Sequence, residues 1–198
     1  MTIDINDCLN SILSSFSRIE HVKAEDIPNI ELYMDQVTTF MESHLSKTKR
    51  YKDDKILTKT MINNYAKNNL LPPPNKKKYS KEHMLILIFI YHFKSVLSIT
   101  DIQTLLNPLT EKYFNTNDDI SIERIYSEVF SMEESQVEAL KEDIRQQYKL
   151  ANHTFQDVEG DEGEFLQIFS FICALSFDVF MKRLLIEKLI DELRKDTK

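Results

Sequence analysis

The chain has almost no glycine: Gly160 and Gly163 are the only two among 198 residues. Loops that cradle phosphate need backbone to approach the ligand closely, and glycine supplies that approach. Neither a Rossmann site nor a P-loop can be built from this sequence. A many-turned β-sandwich or barrel also asks for more glycine than this. Cysteine is scarce as well, with only Cys8 and Cys173. No disulfide framework is implied, and a reducing compartment fits. Cys173 lies in an apolar stretch and is expected as a buried small hydrophobe. The longest apolar stretch, Phe165–Ile186, is broken by Gln167, Ser170, Ser176, Asp178, Lys182 and Arg183. That makes a poor bilayer span. Met1–Asn10 carries Asp4 and Asp7 and no basic run, so it does not read as a signal peptide. The expected location is cytoplasmic, with no membrane partner.

What is present favours helices. Hydrophobic residues make up 42% of the chain, enough for a core, and charged residues 29%, too ordinary for global disorder. The chain is rich in Leu, Ile, Lys and Glu, with seven Met, and these are mostly good helix formers. The expected fold class is all-α. The net charge is −7, which taken alone argues against a nucleic-acid partner. Its distribution argues the other way. Between His44 and His83 stand eleven basic residues and three acids, a balance of 11 − 3 = +8, so the rest of the chain sums to −7 − 8 = −15. A basic segment within an acidic body keeps one face for polyanions. The plainer reading of such lysines is a solvated loop.

The five prolines, Pro28, Pro72, Pro73, Pro74 and Pro108, mark expected boundaries. Ile5, Leu9, Ile12, Leu13, Phe16 and Ile19 recur at helical spacing. Residues 30–45 read as a second helix and residues 47–55 as a charged loop. Thr58 is the expected N-cap of a helix running to about Asn69. Ser80 is placed to cap the next helix, which contains the apolar run Met84–Tyr91. Ser98 and Asp101 form a capping-box pattern for a short helix to Leu106, closed by Pro108. Residues 120–130 and 133–150 read as two helices, residues 153–164 as a mobile acidic connector, and residues 164–194 as a last helix. The first half of that helix is apolar nearly all round and is expected to be intrachain core. Three divisions follow: an N-terminal helix at 1–27, a helix-turn-helix domain at 28–107 and a helical domain at 108–198.

Residues 58–106 carry the functional reading. In order they give a helix ending Asn69-Leu70-Leu71 before three prolines, then Lys76-Lys77-Lys78-Tyr79-Ser80. The apolar helix comes next, then Ser98-Ile99 with Ile102, Leu105 and Leu106. This order resembles the DNA-binding domain of MerR-type transcription regulators. There, a recognition helix exits through Gly-Leu-Leu and prolines, and a basic wing ends in Tyr-Ser. In that comparison Ile62 takes the buried aliphatic position, Tyr65 matches a tyrosine of the recognition helix, and Tyr79-Ser80 match the wing's end. Asn63 stands where an arginine contacts DNA in the family, Asn64 where a tyrosine stands, and Asn69 where glycine caps the helix. Val96 replaces a later glycine, and the wing is several residues shorter. The chain, including Ile27–Phe40, also resembles a family of uncharacterised bacterial proteins known by a domain of unknown function.

On these grounds the expected activity is DNA-binding transcription regulation by a homodimer on double-stranded DNA. At about 100° per residue Ile62, Ala66 and Leu70 point inward. Lys59, Thr60, Asn63, Asn64 and Lys67 then point out. Asn can pair bidentately with adenine and Lys can neutralise phosphate. The expected contacts are these five with Tyr65, Lys76, Lys77, Lys78 and Tyr79. MerR-type proteins dimerise through a C-terminal helix, so the resemblance assigns the stripe Met181, Leu185, Leu189 and Leu193 to dimerisation. The alternative is a helical protein-interaction module that keeps the fold without binding DNA. His21, His44, His83, His92 and His153 are scattered without zinc spacing, and the acids of 157–164 do not follow an EF-hand. No catalytic constellation has local context. No cofactor, metal or enzymatic activity is expected, and a small-molecule effector is left open.

Overall fold

The computed structural model describes residues 5–16, 21–116 and 118–196. The helices are α1 (Ile5–Phe16), α2 (Met34–Leu45), α3 (Lys59–Lys67), α4 (Lys81–Phe93), α5 (Ile99–Tyr113), α6 (Ile122–Ala151) and α7 (Gly160–Asp196). Two short strands, β1 (Leu32–Tyr33) and β2 (Lys78–Tyr79), pair antiparallel, with Leu32 opposite Tyr79 and Tyr33 opposite Lys78. The chain is thus mostly helical, as its composition implies. The pair of strands was not legible in a two-residue alternation. Ile19 of the expected first helix lies outside the described residues.

The chain divides into two units. Residues Arg18–Ser131 and Ile190–Lys198 form one, and Met1–Ser17 with Met132–Leu189 form the other. These bounds do not coincide with divisions at 27 and 107.

The larger unit is built around α4. Its apolar run could be a strand by periodicity; the structure makes it a helix, with every residue from His83 to Ile90 buried. Full burial of such aliphatic side chains contributes about 1.5–3 kcal/mol each. Around it pack Val37, Met41 and Leu45 of α2, Ile62 and Tyr65 of α3, Ile102 and Leu106 of α5, and Ile122, Tyr126 and Phe130 of α6. Phe89, Tyr126 and Phe130 form an aromatic group with ring centroids 4.3–5.5 Å apart. The Tyr126 hydroxyl donates to the Val22 carbonyl and so ties α6 to the chain before α2. Ile190 is also buried here, and Arg194 donates to Asp101 Oδ1 at 2.7 Å and to Thr104 Oγ1 at 3.0 Å.

Several elements depart from the sequence expectation. Pro108 does not close α5 but lies inside it, and the helix continues to Tyr113. A proline there forfeits one main-chain bond, at about 3 kcal/mol. Buried Leu106 and half-buried Leu109 and Tyr113 pack on the core on both sides of it, which offsets that loss. Residues 122–151 form one helix rather than two, since neither glycine nor proline interrupts them.

The connector 152–159 is a run of hydrogen-bonded turns: His153 N–H donates to Leu150, Thr154 to Ala151 and Val158 to Phe155. Both glycines are used at this corner. Gly160 has φ +73°, and a Cβ on Gly163 would lie 2.1 Å from the Val158 carbonyl oxygen.

The smaller unit has a thin core. Among the described residues its buried apolar side chains are Leu13, Ala151 and Phe171. Phe171 meets Tyr148 edge-on at 5.2 Å. The first half of α7 is therefore not intrachain core: Phe165, Phe169, Ile172, Phe177, Val179 and Phe180 are exposed. Cys173 is exposed as well, not buried. Among the described residues Tyr148 of α6 and Thr154 of the connector meet one side of α7. By length and composition α7 is also the one helix among the described residues that could cross a membrane, with a mean hydropathy of 1.6 in its most apolar window.

Candidate nucleic-acid interface

Thr58 begins α3 as expected, its Oγ1 accepting from Met61 N–H at 3.2 Å. The approach to this cap is fixed from below. Ile56 and Leu57 are buried, and Lys94, near the end of α4, donates from Nζ to the Ile56 carbonyl at 2.6 Å. Burial lowers the Lys94 ammonium below the ordinary lysine range. The other end of α3 is closed by Asn69 at φ +55°. Leu70 and Leu71 N–H both donate to the Tyr65 carbonyl, at 2.9 and 3.3 Å. A left-handed residue after the last turn lets orphan carbonyls find donors, and Asn tolerates that conformation next best to Gly. Gln103 of α5 then donates to the Asn68 carbonyl at 2.5 Å. The short helix is held at both ends by α4 and α5.

Its faces follow the sequence reading with one exception. Ile62 and Leu70 are buried and Ala66 half-buried, while Lys59, Thr60, Asn63, Asn64 and Lys67 are exposed. The exception is Tyr65, which is 8% exposed; burial raises its phenol above the usual range. Tyr79, 3% exposed, is likewise a core residue whose phenol burial raises. The two tyrosines expected at the surface are thus core residues. The side-chain amides of Asn63 and Asn64 make no hydrogen bond among the described residues.

Residues 75–78 form a tight turn in which Lys78 N–H donates to the Asn75 carbonyl at 2.9 Å. Both central residues are left-handed, Lys76 at φ +46° and Lys77 at φ +65°. That is the signature of a type I′ turn, normally built from Asn and Gly. For residues with a Cβ the conformation costs roughly 1–2 kcal/mol each. Both lysines are exposed. The turn is anchored through β2 to β1. Below it, Ser80 begins α4, and its N–H donates to His83 Nδ1 at 3.0 Å. Tyr79 and Phe114 present ring edges to His83 at 5.5 and 4.8 Å. Nε2 is buried and faces the Pro72 and Pro73 carbonyls without closing a hydrogen bond of good geometry. Burial lowers the imidazole below its ordinary value, and the proline carbonyls oppose that only in part.

The basic residues fall into two sets. Lys59 is paired with Asp35, and Lys78 lies 3.5 Å from Glu31 and over the Tyr33 ring. Lys81 pairs with Glu123 at 2.8 Å. The first two bring the start of α3 and strand β2 against the same segment, residues 31–35. Lys67, Lys76 and Lys77 make no ion pair among the described residues. An open groove of about 360 Å³ lies along α2, lined by Pro28, Leu32, Asp35, Gln36, Thr39 and Phe40. Among the described residues no three His, Cys, Asp or Glu side chains converge on a point that could hold a metal ion. Met181, Leu185, Leu189 and Leu193, the expected dimer stripe, are all exposed along α7.

No curated protein and no solved structure matches the chain. Residues 22–129, which contain every residue of this face, match the family described as Domain of unknown function (DUF1836). That match spans more than half of the chain, which therefore belongs to the DUF1836 family.

Proposed function

We propose that this protein binds double-stranded DNA through α3 and the 75–78 turn, as a transcription regulator. One observation carries the reading: Lys67, Lys76 and Lys77 are exposed and have no acidic partner among the described residues, and α3 also presents the amides of Asn63 and Asn64, which make no hydrogen bond among them. Cations without internal partners can release counterions from phosphate, and amide groups can read base edges. Lys59 and Lys78 join at the cost of exchanging Asp35 and Glu31 for phosphate. Exposed pairs of this kind are worth at most about 1 kcal/mol, so the exchange is cheap. Two copies would set two such faces on paired half-sites.

The test is fluorescence anisotropy with mixed-sequence duplex DNA at several salt concentrations. Affinity should fall steeply with salt. Lys67→Ala and Lys77→Ala should each flatten the log–log slope by about 1 and weaken binding on every sequence. Asn63→Ala should relax sequence preference while leaving the slope unchanged. An absence of binding at low salt overturns the reading. A second reading, a protein-interaction module, is favoured by the acids beside Lys59 and Lys78 and by the apolar groove along α2. It expects a protein partner and no salt-sensitive DNA affinity.

A further inference from the structure

α7 has two sides. One is engaged with its own unit: Phe171 meets Tyr148, Ser170 Oγ accepts from Thr154 Oγ1 at 3.1 Å, and Gln167 donates to the Thr154 carbonyl at 3.3 Å. The opposite side carries Phe165, Phe169, Ile172, Ser176 and Val179, all exposed. Their spacing is four, three, four, three. A repeat averaging 3.5 residues keeps a seam facing a second helix, and a row of this period is the seam of a coiled coil. No charged residue interrupts it. The rings of Phe165 and Phe169 already stack on each other along it, with centroids 6.5 Å apart.

We infer that this seam pairs with the same seam of a second copy, in antiparallel orientation, about a two-fold axis near Ile172 and Cys173. Charge selects the orientation. The start of α7 is acidic, with Asp161, Glu162 and Glu164, whereas Lys182, Arg183 and Lys188 lie two-thirds of the way along. An antiparallel pair sets Glu162 opposite the second copy's arginine at position 183; a parallel pair stacks acid on acid. The same axis sets Phe169 opposite the second copy's Ser176, a large side chain against a small one. Lys182 and Arg183 now pair with Asp178 and Glu187 one turn away. Exposed pairs at that spacing are weak and give way readily.

Area points the same way. Phe165, Phe169 and Phe180 are 63%, 54% and 58% exposed. At about 150–250 Å² per aromatic, they alone offer roughly 350 Å² per copy. Ile172 and Val179 extend this towards the ~800 Å² per partner of a stable interface. A bilayer fits the seam less well. Asp178 lies within the apolar stretch, where a charge in hydrocarbon is costly, and Lys182 and Arg183 end that stretch. The engaged side of α7 also packs on α6, which carries Glu138, Lys141, Glu142, Asp143 and Arg145.

The pairing is independent of the DNA reading and is tested without DNA. Light scattering on the full chain should give a dimer, and Phe169→Glu a monomer of unchanged helicity by circular dichroism. Orientation is read by cross-linking in a Cys8→Ser, Cys173→Ser background. Glu162→Cys chains mixed with Arg183→Cys chains should oxidise to a mixed disulfide, while neither should cross-link alone, its own copies being about 30 Å apart. Cross-linking of Glu162→Cys alone would establish a parallel pair and overturn the proposal. So would a wild-type monomer at tens of micromolar, or a monomer that floats with phosphatidylcholine vesicles. A dimer indifferent to Phe169→Glu but broken by Leu185→Asp would move the contact to the later stripe and also overturn it.

Discussion

His83 shows how a single side chain makes this fold sensitive to pH. It is buried, accepts from the Ser80 N–H and is held below its ordinary value of 6.5, chiefly by burial. The unfolded chain therefore binds a proton at a pH where the folded chain does not. Stability is full above about 6.5 and is lost as pH falls below it. Urea midpoints measured from pH 7.5 to 5 should decline in the wild type, and the decline should be shallower in His83→Gln even if that variant is less stable throughout. Parallel curves would show that His83 does not titrate in this way. At this scale the sequence was legible where a residue type answers a local need. Thr58 caps because its hydroxyl reaches back to a free N–H, and Asn69 takes a left-handed φ in place of glycine. It was not legible at Tyr65 and Tyr79. A phenol ring suits both a surface and a core, and only the packing of α3 and β2 on α4 decides between them.

Among the elements, α5 shows what local signals can and cannot give. Its start was visible: Ser98 Oγ accepts from Asp101 N–H at 3.1 Å and the Asp101 carboxylate accepts from Ser98 N–H at 3.2 Å. The Ser98 hydroxyl, and then Arg194, hold that carboxyl below its usual range. Ser98→Ala should cost about 1 kcal/mol, as a drop in the urea midpoint at constant slope. A loss under a few tenths would mean that Asp101 alone caps the helix. The end of α5 was not visible, because Pro108 is a breaker only where packing does not overrule it. The same limit applies to α6, which runs unbroken through residues 131 and 132, where two helices were expected to part. For α4, length and flanking polar residues settled what periodicity left open.

For the molecule as a whole, composition gave the class, and charge distribution gave the face proposed to meet DNA. What composition could not give is which apolar surface the chain covers by itself. A helix apolar nearly all round reads as core, yet α7 is covered on one side only, because its own unit has too few helices to enclose it. The other unit has a different debt. Ile190 fills a place in its core and Arg194 reaches Asp101, although both follow residue 131 by a long excursion through the smaller unit. A chain stopped after Ser131 should therefore lose about 1.5–3 kcal/mol for the empty Ile190 site alone, read in urea against the full chain. An equal midpoint would show that the slot closes without it. During synthesis the order matters in time. A ribosome adding ~5–20 residues per second needs roughly 3–12 s to go from residue 131 to residue 190. For those seconds the larger unit waits, nearly complete, for a side chain not yet made, and it is then that a chaperone would find it open.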